Sequence, residues 1–255
     1  MNFSTLTFNM QNGQLWNEAA PDDETVDLGR TIAFLKEQDA DVIFLQEVER
    51  GYDGGMQVEP PPHYTALRAS LPGYDSVFAY PLQNELEIPF GLGLAIFSKT
   101  KLRDFSRTDL PAADVEFEFA GVKRRPSSRL LIGASTVIFG RGVRLLNTHL
   151  QAFFMIGSSS AFHRGQRDLV EGEIRAVRGP VLLAGDFNCA PDEGVVEQFG
   201  EAGFQTVQNE VVTWRRMPFV LDHIFFNAPI RLESHEVIPT LTSDHLAVRA
   251  EFSFV

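Results

Sequence analysis

The chain has 255 residues, 44% of them hydrophobic, enough to bury a large core within one domain. Its formal net charge of −12 argues against non-specific affinity for nucleic acid, which needs a cationic surface. The single Cys189 excludes an intramolecular disulfide and a multi-cysteine zinc site, and between Asn188 and Ala190 it reads as a packing residue. Met1-Asn2-Phe3 lacks the basic start and apolar stretch of a signal peptide, so a cytoplasmic location is expected, with secretion left open if a leader was removed. No apolar run reaches the roughly 20 residues that span a bilayer, and a monomer without an integral membrane segment is expected.

Phe3 to Phe8 alternates large apolar and small polar residues, the pattern of a half-buried strand. Asp22-Asp23-Glu24 then precedes Val26, Leu28, Ile32, Phe34 and Leu35, which predicts a helix with one apolar face. Val42-Ile43-Phe44-Leu45 is short and β-branched, a buried strand. Residues 50–63, with Gly51, Gly54, Gly55 and Pro60-Pro61-Pro62, read as a loop. Strands are predicted at 74–80, 92–98, 115–119, 129–138 and 143–148, with a hairpin turn at Gly140-Arg141-Gly142. A helix over 158–177 carries Leu169, Ile174 and Val177 on one face and is weakened by Gly165 and Gly172. Val181-Leu182-Leu183-Ala184 is another buried strand, followed by strands near 220–226, 230–238 and 246–254. No linker or repeat divides the chain, so one domain over 1–255 is expected. Hairpins mixed with strand–helix–strand units imply two packed sheets with helices outside.

Five segments place a carboxylate, amide or imidazole at the border of an apolar run: Phe8-Asn9, Gln46-Glu47, Asn147-Thr148-His149, Gly185-Asp186-Phe187-Asn188 and Ser243-Asp244-His245. Strand ends are where a sheet presents polar groups to a shared crevice. Asn9 alone could cap a turn, and Glu47 alone could be a solvated strand end. Asp186 and Asn188 alternate onto one side of an extended chain, where they could grip a water and a phosphate oxygen. An Asx-turn explains that segment equally well by itself. Asp244 and His245 point to opposite sides, so two separate tasks are expected. Asp222 could hold the ring of His245 in one tautomer, whereas His223 in its apolar strand reads as a core histidine. There is no Gly-x-Ser-x-Gly elbow, no phosphate-binding P-loop and no His-Glu-x-x-His pair, and Gly91-Leu92-Gly93 lacks a third glycine for a dinucleotide site.

Taken jointly, these segments resemble the endonuclease/exonuclease/phosphatase superfamily, which includes DNase I-like nucleases and sphingomyelinases. The resemblance runs from Asn9 to His245 and implies an α/β (α+β) fold, a four-layer α/β/β/α sandwich of two mixed sheets flanked by helices. It implies a metal-dependent phosphoester hydrolase. Glu47 would be the principal ligand of Mg²⁺ or Mn²⁺, with Asn9 and Asp244 close by. Asp186 would activate the attacking water and Asn188 would hold the phosphate. Asp222 and His245 would form a pair, and His149 would sit near the leaving group. All-oxygen ligation suits a hard, hydrated cation.

Three departures stand out. His163-Arg164-Gly165-Gln166 only partly matches the family's Arg and Gln pattern. The expected Glu partner of the second histidine is missing just before the strand, where Phe90-Gly91 stands and Glu85 and Glu87 lie farther back. The Trp-Cys-Asp-Arg stretch of inositol-polyphosphate phosphatases is absent. A phosphodiesterase is expected, with a phosphomonoesterase or a non-catalytic binding module as alternatives. As substrate contacts the sequence offers Arg125 and Arg129, from the basic stretch Lys123 to Arg129, and Trp214 beside Arg215 and Arg216. Burial of Trp214 in the core is the competing reading, and solvated loop positions are the competing reading for the basic stretch. Phe153 to Ile156 would meet lipid if exposed, although burial is the commoner fate of such a run. Nucleic acid, lipid and small phosphodiesters remain level as substrates.

Overall fold

A computed structural model describes residues 1–51, 56–83, 91–119, 121–126 and 128–255. Two six-stranded sheets lie face to face. The first has the order β13-β14-β1-β2-β4-β3 and the second β11-β12-β10-β9-β8-β5. In the first sheet β1 (Phe3–Asn9) runs parallel to β2 (Val42–Gln46), joined by α1 (Leu28–Gln38). In the second, β9 (Arg141–His149) runs parallel to β10 (Val181–Asp186), joined by α3 (Gly165–Ala176). The remaining pairings are antiparallel, among them β3 (Asp75–Ala79) and β4 (Leu94–Ser98), β5 (Arg103–Leu110) and β8 (Arg129–Ile138), β11 (Phe204–Thr206) and β12 (Asp222–Asn227), and β13 (Ile230–Ile238) and β14 (Ala247–Phe254). A separate ribbon joins β6 (Phe117–Phe119) to β7 (Val122–Arg124).

The period of two along each strand sorts side chains into three cores. Val42 and Phe44 of β2 face Leu182 and Ala184 of β10 between the sheets, with Phe3, Ile96, Leu145 and Ile224. Ile43 and Leu45 point the other way, against Leu35 of α1 and Leu67 of α2 (Pro62–Ser70). Val181 and Leu183 pack outward on Val170 and Ile174 of α3 and Phe199 of α4 (Val195–Glu201). Strands buried on both faces read as continuous apolar runs, which is why β2 and β10 were legible. Each fully buried large side chain contributes about 1.5–3 kcal/mol. The layers are therefore helix, sheet, sheet, helix, as the sequence led us to expect.

Several local expectations are corrected. The helix expected over 158–177 begins only at Gly165, because Ser158, Ser159 and Ser160 form turns and side-chain bonds instead. The stretch expected as loop ends in α2, where Pro62 takes the first helical position, one at which no amide hydrogen is required. Residues 52–55, including Gly54 and Gly55, lie outside the described residues. The β8–β9 turn centres on Phe139 and Gly140, both at positive φ (49° and 78°), one residue earlier than expected. Phe153–Ile156 forms a single 3-10 turn in which Phe153 is buried and Met155 exposed. The strand expected at 115–119 is limited to β6. Elements α4, β5, β7 and β11 were not anticipated. Among the described residues, no helix is long and apolar enough to cross a membrane.

Candidate active site

The parallel pairs set the site. Register places Asn9 opposite Gln46 at the ends of β1 and β2, and Asp186 opposite His149 at the ends of β10 and β9. The antiparallel neighbour β12 brings Asp222 opposite Asp186. The turn before β14 carries Ser243, Asp244 and His245. Ser243 donates its hydroxyl to the Asn9 carbonyl at 2.7 Å, fastening that turn to the end of β1.

Asn9 Nδ2 donates to Glu47 Oε1 at 3.1 Å and to Asp186 Oδ2 at 3.0 Å. Its Oδ1 accepts from the Gln11 amide, so Asn9, expected as a ligand, is turned as a donor between two carboxylates. Glu47 and Asn188 both hold positive φ (49° and 46°), uncommon for such residues and found at functional sites more than elsewhere. Gly91 lies against Glu47: a Cβ there would fall 2.4 Å from Glu47 Oε2 and 2.6 Å from Glu47 Cβ. Gly185 has φ 154°, and a Cβ there would fall 2.0 Å from the Thr148 carbonyl oxygen. That glycine sits within β10 and lets β9 and β10 approach closely.

His245 Nδ1 donates to Asp222 Oδ2 at 2.8 Å, and its Nε2 stands 3.7 Å from Asp186 Oδ2. Asp222 is itself aligned by Thr213, whose hydroxyl oxygen accepts from the Leu221 and Asp222 amides. Burial works against charge on His245, yet Asp222 and Asp186 raise it to about 10, so the ring is an imidazolium. Asp186 is raised to about 7, first by burial and then by the Asp222 charge, with His245 and Asn9 pulling the other way. Glu47 is also raised to about 7, by burial above all and then by Asp244, against Asn9 and His245. His149 Nε2 stands 3.5 Å from Asp186 Oδ2 and 3.9 Å from Glu47 Oε1. Burial, then the Arg129 and His245 charges, hold His149 well below its ordinary range.

Asp244 and His245, adjacent in sequence, take different partners. Asp244 Oδ2 accepts from Trp214 Nε1 at 3.2 Å and Arg216 Nε at 2.8 Å. Arg216 also reaches Asp22 at 2.9 Å. Trp214 is buried against Phe154, so its indole supports Asp244 and its face is not open to a base. Arg125 pairs with Glu116 on the β6–β7 ribbon at 3.1 Å, away from the carboxylates' hydrogen-bond network. Arg129 instead reaches the centre: Nη1 lies 3.1 Å from His149 Nδ1. Glu85 and Glu87 lie outside the described residues, and among the described ones Arg129 is the partner found on Nδ1. Asn188 donates one amide hydrogen to the Leu150 carbonyl and keeps a second available. Gln46 and Asn147, part of the segments that looked catalytic, bridge the sheets: Gln46 Nε2 donates to Asn147 Oδ1 at 2.7 Å, and Asn147 Nδ2 donates to the carbonyls of Leu45 and Ala95. Gln166 likewise accepts from the Gln151 amide, holding the segment after His149. Cys189 is buried and its thiol is pushed up to about 11, as suits packing.

The donor set fits a divalent cation. Buried Asp186, Asp222 and Asp244 gather beside the partly buried Glu47, and Asp222 Oδ1 is buried without a hydrogen-bond partner among the described residues. Two of these carboxyls are raised to about 7, by burial first and then by their neighbouring carboxylates. Asp186, Asp222 and His245 offer atoms within 4.8 Å of one another, a spacing that could hold a metal ion. An imidazolium already lies between those two carboxylates.

A family model described as the Endonuclease/Exonuclease/phosphatase family matches residues 6–245. The chain belongs to the endonuclease/exonuclease/phosphatase family. Members of this family are typically hydrolases acting on phosphoesters and are generally divalent-metal dependent. Among solved structures, the chain is similar to an endonuclease/exonuclease/phosphatase from Beutenbergia cavernae, with TM-score 0.73, 22% identity, and coverage of 99% of this chain and 72% of that one. A Bacteroides vulgatus protein of the same description gives TM-score 0.73 at 18% identity with both chains covered completely. D. rerio TDP2 complexed with single strand DNA product gives TM-score 0.68 at 19% identity, covering 99% of each chain. At such identities the likeness speaks for the fold. No curated protein matches the sequence.

Proposed function

We propose that this protein, acting as a single-domain monomer over 1–255, is a divalent-metal-dependent phosphodiester hydrolase that uses Mg²⁺ or Mn²⁺. The observation that carries this reading is the buried Asp186, raised to about 7 between an imidazolium and the Asn9 amide. A carboxylate poised near neutral pH is suited to take a proton from water. Asp186 therefore serves as the general base. His245, held protonated by Asp222, offers its Nε2–H to phosphoryl oxygens on which negative charge develops. Asn188 offers its remaining amide hydrogen to the phosphate. His149 lies beside Asp186 with its own Nε2 facing the same space.

Glu47 and the free oxygen of Asp244 would hold the cation, with the Asn9 amide spacing Glu47 from Asp186. When bound, the cation supplies Lewis-acid polarisation and charge stabilisation for the phosphoryl group. Arg216 and Trp214 fix Asp244 from behind, and Gly91 leaves room for the Glu47 carboxylate. Arg129 remains next to the proposed substrate space through His149.

The test is hydrolysis of bis-(p-nitrophenyl) phosphate by chelator-treated protein, followed by return of Mg²⁺ or Mn²⁺. Activity is expected to vanish and return, and Glu47→Ala is expected to abolish it. Full activity in Glu47→Ala would overturn the reading.

A further inference from the structure

Arg129 opens β8 and stands beside the end of β9, its Nη1 3.1 Å from His149 Nδ1. A guanidinium stays protonated and carries only N–H donors. Nδ1 must therefore be the acceptor, and the ring's own hydrogen must sit on Nε2. The chemistry of the partner decides the tautomer here. Nε2 faces Asp186 Oδ2 and Glu47 Oε1, the side proposed for substrate. Arg129 and His149 also line one notch with Gly91, Gly93 and Ser128.

A carboxylate in the place of Arg129 would accept Nδ1–H and stabilise a doubly protonated ring, as in triads where a histidine hands a proton to a leaving group. A cation in that place does the reverse. It leaves Nε2–H as a hydrogen-bond donor and blocks the second hydrogen that would make the ring a competent acid. Transferring the Nε2 hydrogen would leave an imidazolate, which no leaving group of ordinary basicity can demand.

We propose that Arg129 is a positioning residue that fixes His149 as a neutral N–H donor, and that the site therefore selects phosphodiesters whose leaving group departs as a stabilised oxyanion such as a phenolate, over those that release an alkoxide. This rests on the hydrolase reading above. In the step, water oxygen bonds to phosphorus and its proton passes to Asp186. The bond from phosphorus to the leaving oxygen breaks with its electron pair on that oxygen. The group leaves as an anion, hydrogen-bonded by His149 Nε2–H, with no proton transferred from the ring.

The test uses methyl aryl phosphate diesters whose phenols span a range of acidity, together with a dialkyl diester, on the metal-loaded wild-type protein and on Arg129→Gln. Wild-type kcat/KM is expected to fall by roughly 10²-fold or more from the most to the least acidic phenol, the scale of the general-acid catalysis forgone. Arg129→Gln, whose carboxamide can accept as well as donate, is expected to show a shallower dependence. Histidine ring ¹⁵N spectra should show an unprotonated Nδ1 at His149 in the wild type. Should the variant fail to fold, the wild-type series and spectrum still decide. Equal rates across the series, a protonated Nδ1, or an unchanged dependence in folded Arg129→Gln would each overturn the inference and leave the hydrolase standing. No hydrolysis of any diester would overturn the hydrolase and the inference with it.

Discussion

Gly91→Ala isolates the placement of Glu47. Gly91 has no positive φ, so alanine fits its backbone and the consequence is purely steric. The added Cβ would sit 2.6 Å from Glu47 Cβ and 2.4 Å from Oε2, where carbon contacts need about 3.5 Å. Glu47 must yield by about 1 Å, and rotation of the carboxylate alone does not relieve the clash at Cβ. A displacement of about 1 Å in a catalytic constellation can cost on the order of 10²-fold. That loss corresponds to about 3 kcal/mol of transition-state stabilisation. Hydrolysis of bis-(p-nitrophenyl) phosphate across a Mg²⁺ titration should show kcat/KM down by that order and a weaker apparent affinity for the ion. Circular dichroism and thermal melting should show a folded protein. A folded Gly91→Ala with wild-type kcat/KM and wild-type Mg²⁺ dependence would refute the assignment of Glu47 as the ligand that this glycine makes room for.

Asn147→Ala strips partners from two buried carbonyls and from Gln46, so stability should fall by about 3 kcal/mol in urea unfolding, and a loss below 1 kcal/mol would contradict the bridging role. Asp222→Asn removes the acceptor that keeps His245 charged, and hydrolysis at neutral pH should drop by roughly 10²–10⁴-fold, as when a triad aspartate becomes asparagine; a value near wild type would show that His245 does not act as an imidazolium. His223 is buried and depressed from 6.5 to about 4, first by burial, with the Asp222 charge opposing. Its folded form stays neutral while the unfolded form gains a proton, so stability is full above 6.5 and is lost as pH falls toward 4. About 2 kcal/mol should go between pH 7.5 and pH 5. His223→Leu should lose less over that interval, and equal losses in urea unfolding would contradict the account.

The two-sheet architecture was legible because its central strands are buried on both faces, and runs such as Val42 to Leu45 and Val181 to Ala184 admit little else. The site was legible because polar residues at the ends of those runs had to converge once the sheets packed. Which of them act chemically was harder to read. Gln46 and Asn147 sit in the same segments as Glu47 and His149, yet, one and two residues short of them, they lie between the sheets and bond each other. Asn9 could be given a ligand's role from sequence, but its Oδ1 accepts from the Gln11 amide two residues on, the turn-capping role that the sequence also offered. Arg216 was visible beside Trp214, while its grip on Asp244 depends on the fold of residues 213–219. Gly91 carried a signal only in hindsight: a glycine just before a strand marks a close approach whose partner the sequence does not name. Edge strand β5 escaped notice because charged residues occupy both its faces, and α4, at seven residues, is too short for a helical period to show. Pro62 ended a loop and began a helix at once, so its run read as punctuation only.

The central claim is that Asp186 takes the proton of the attacking water. Asp186→Asn changes one oxygen to an amide nitrogen in the middle of this cluster and can be compared with wild type in metal-restored hydrolysis of bis-(p-nitrophenyl) phosphate. The account predicts activity lost by at least about 10²-fold, the lower end of general-base catalysis, in a protein that melts as wild type or higher. Retention of wild-type turnover by a folded Asp186→Asn would contradict it.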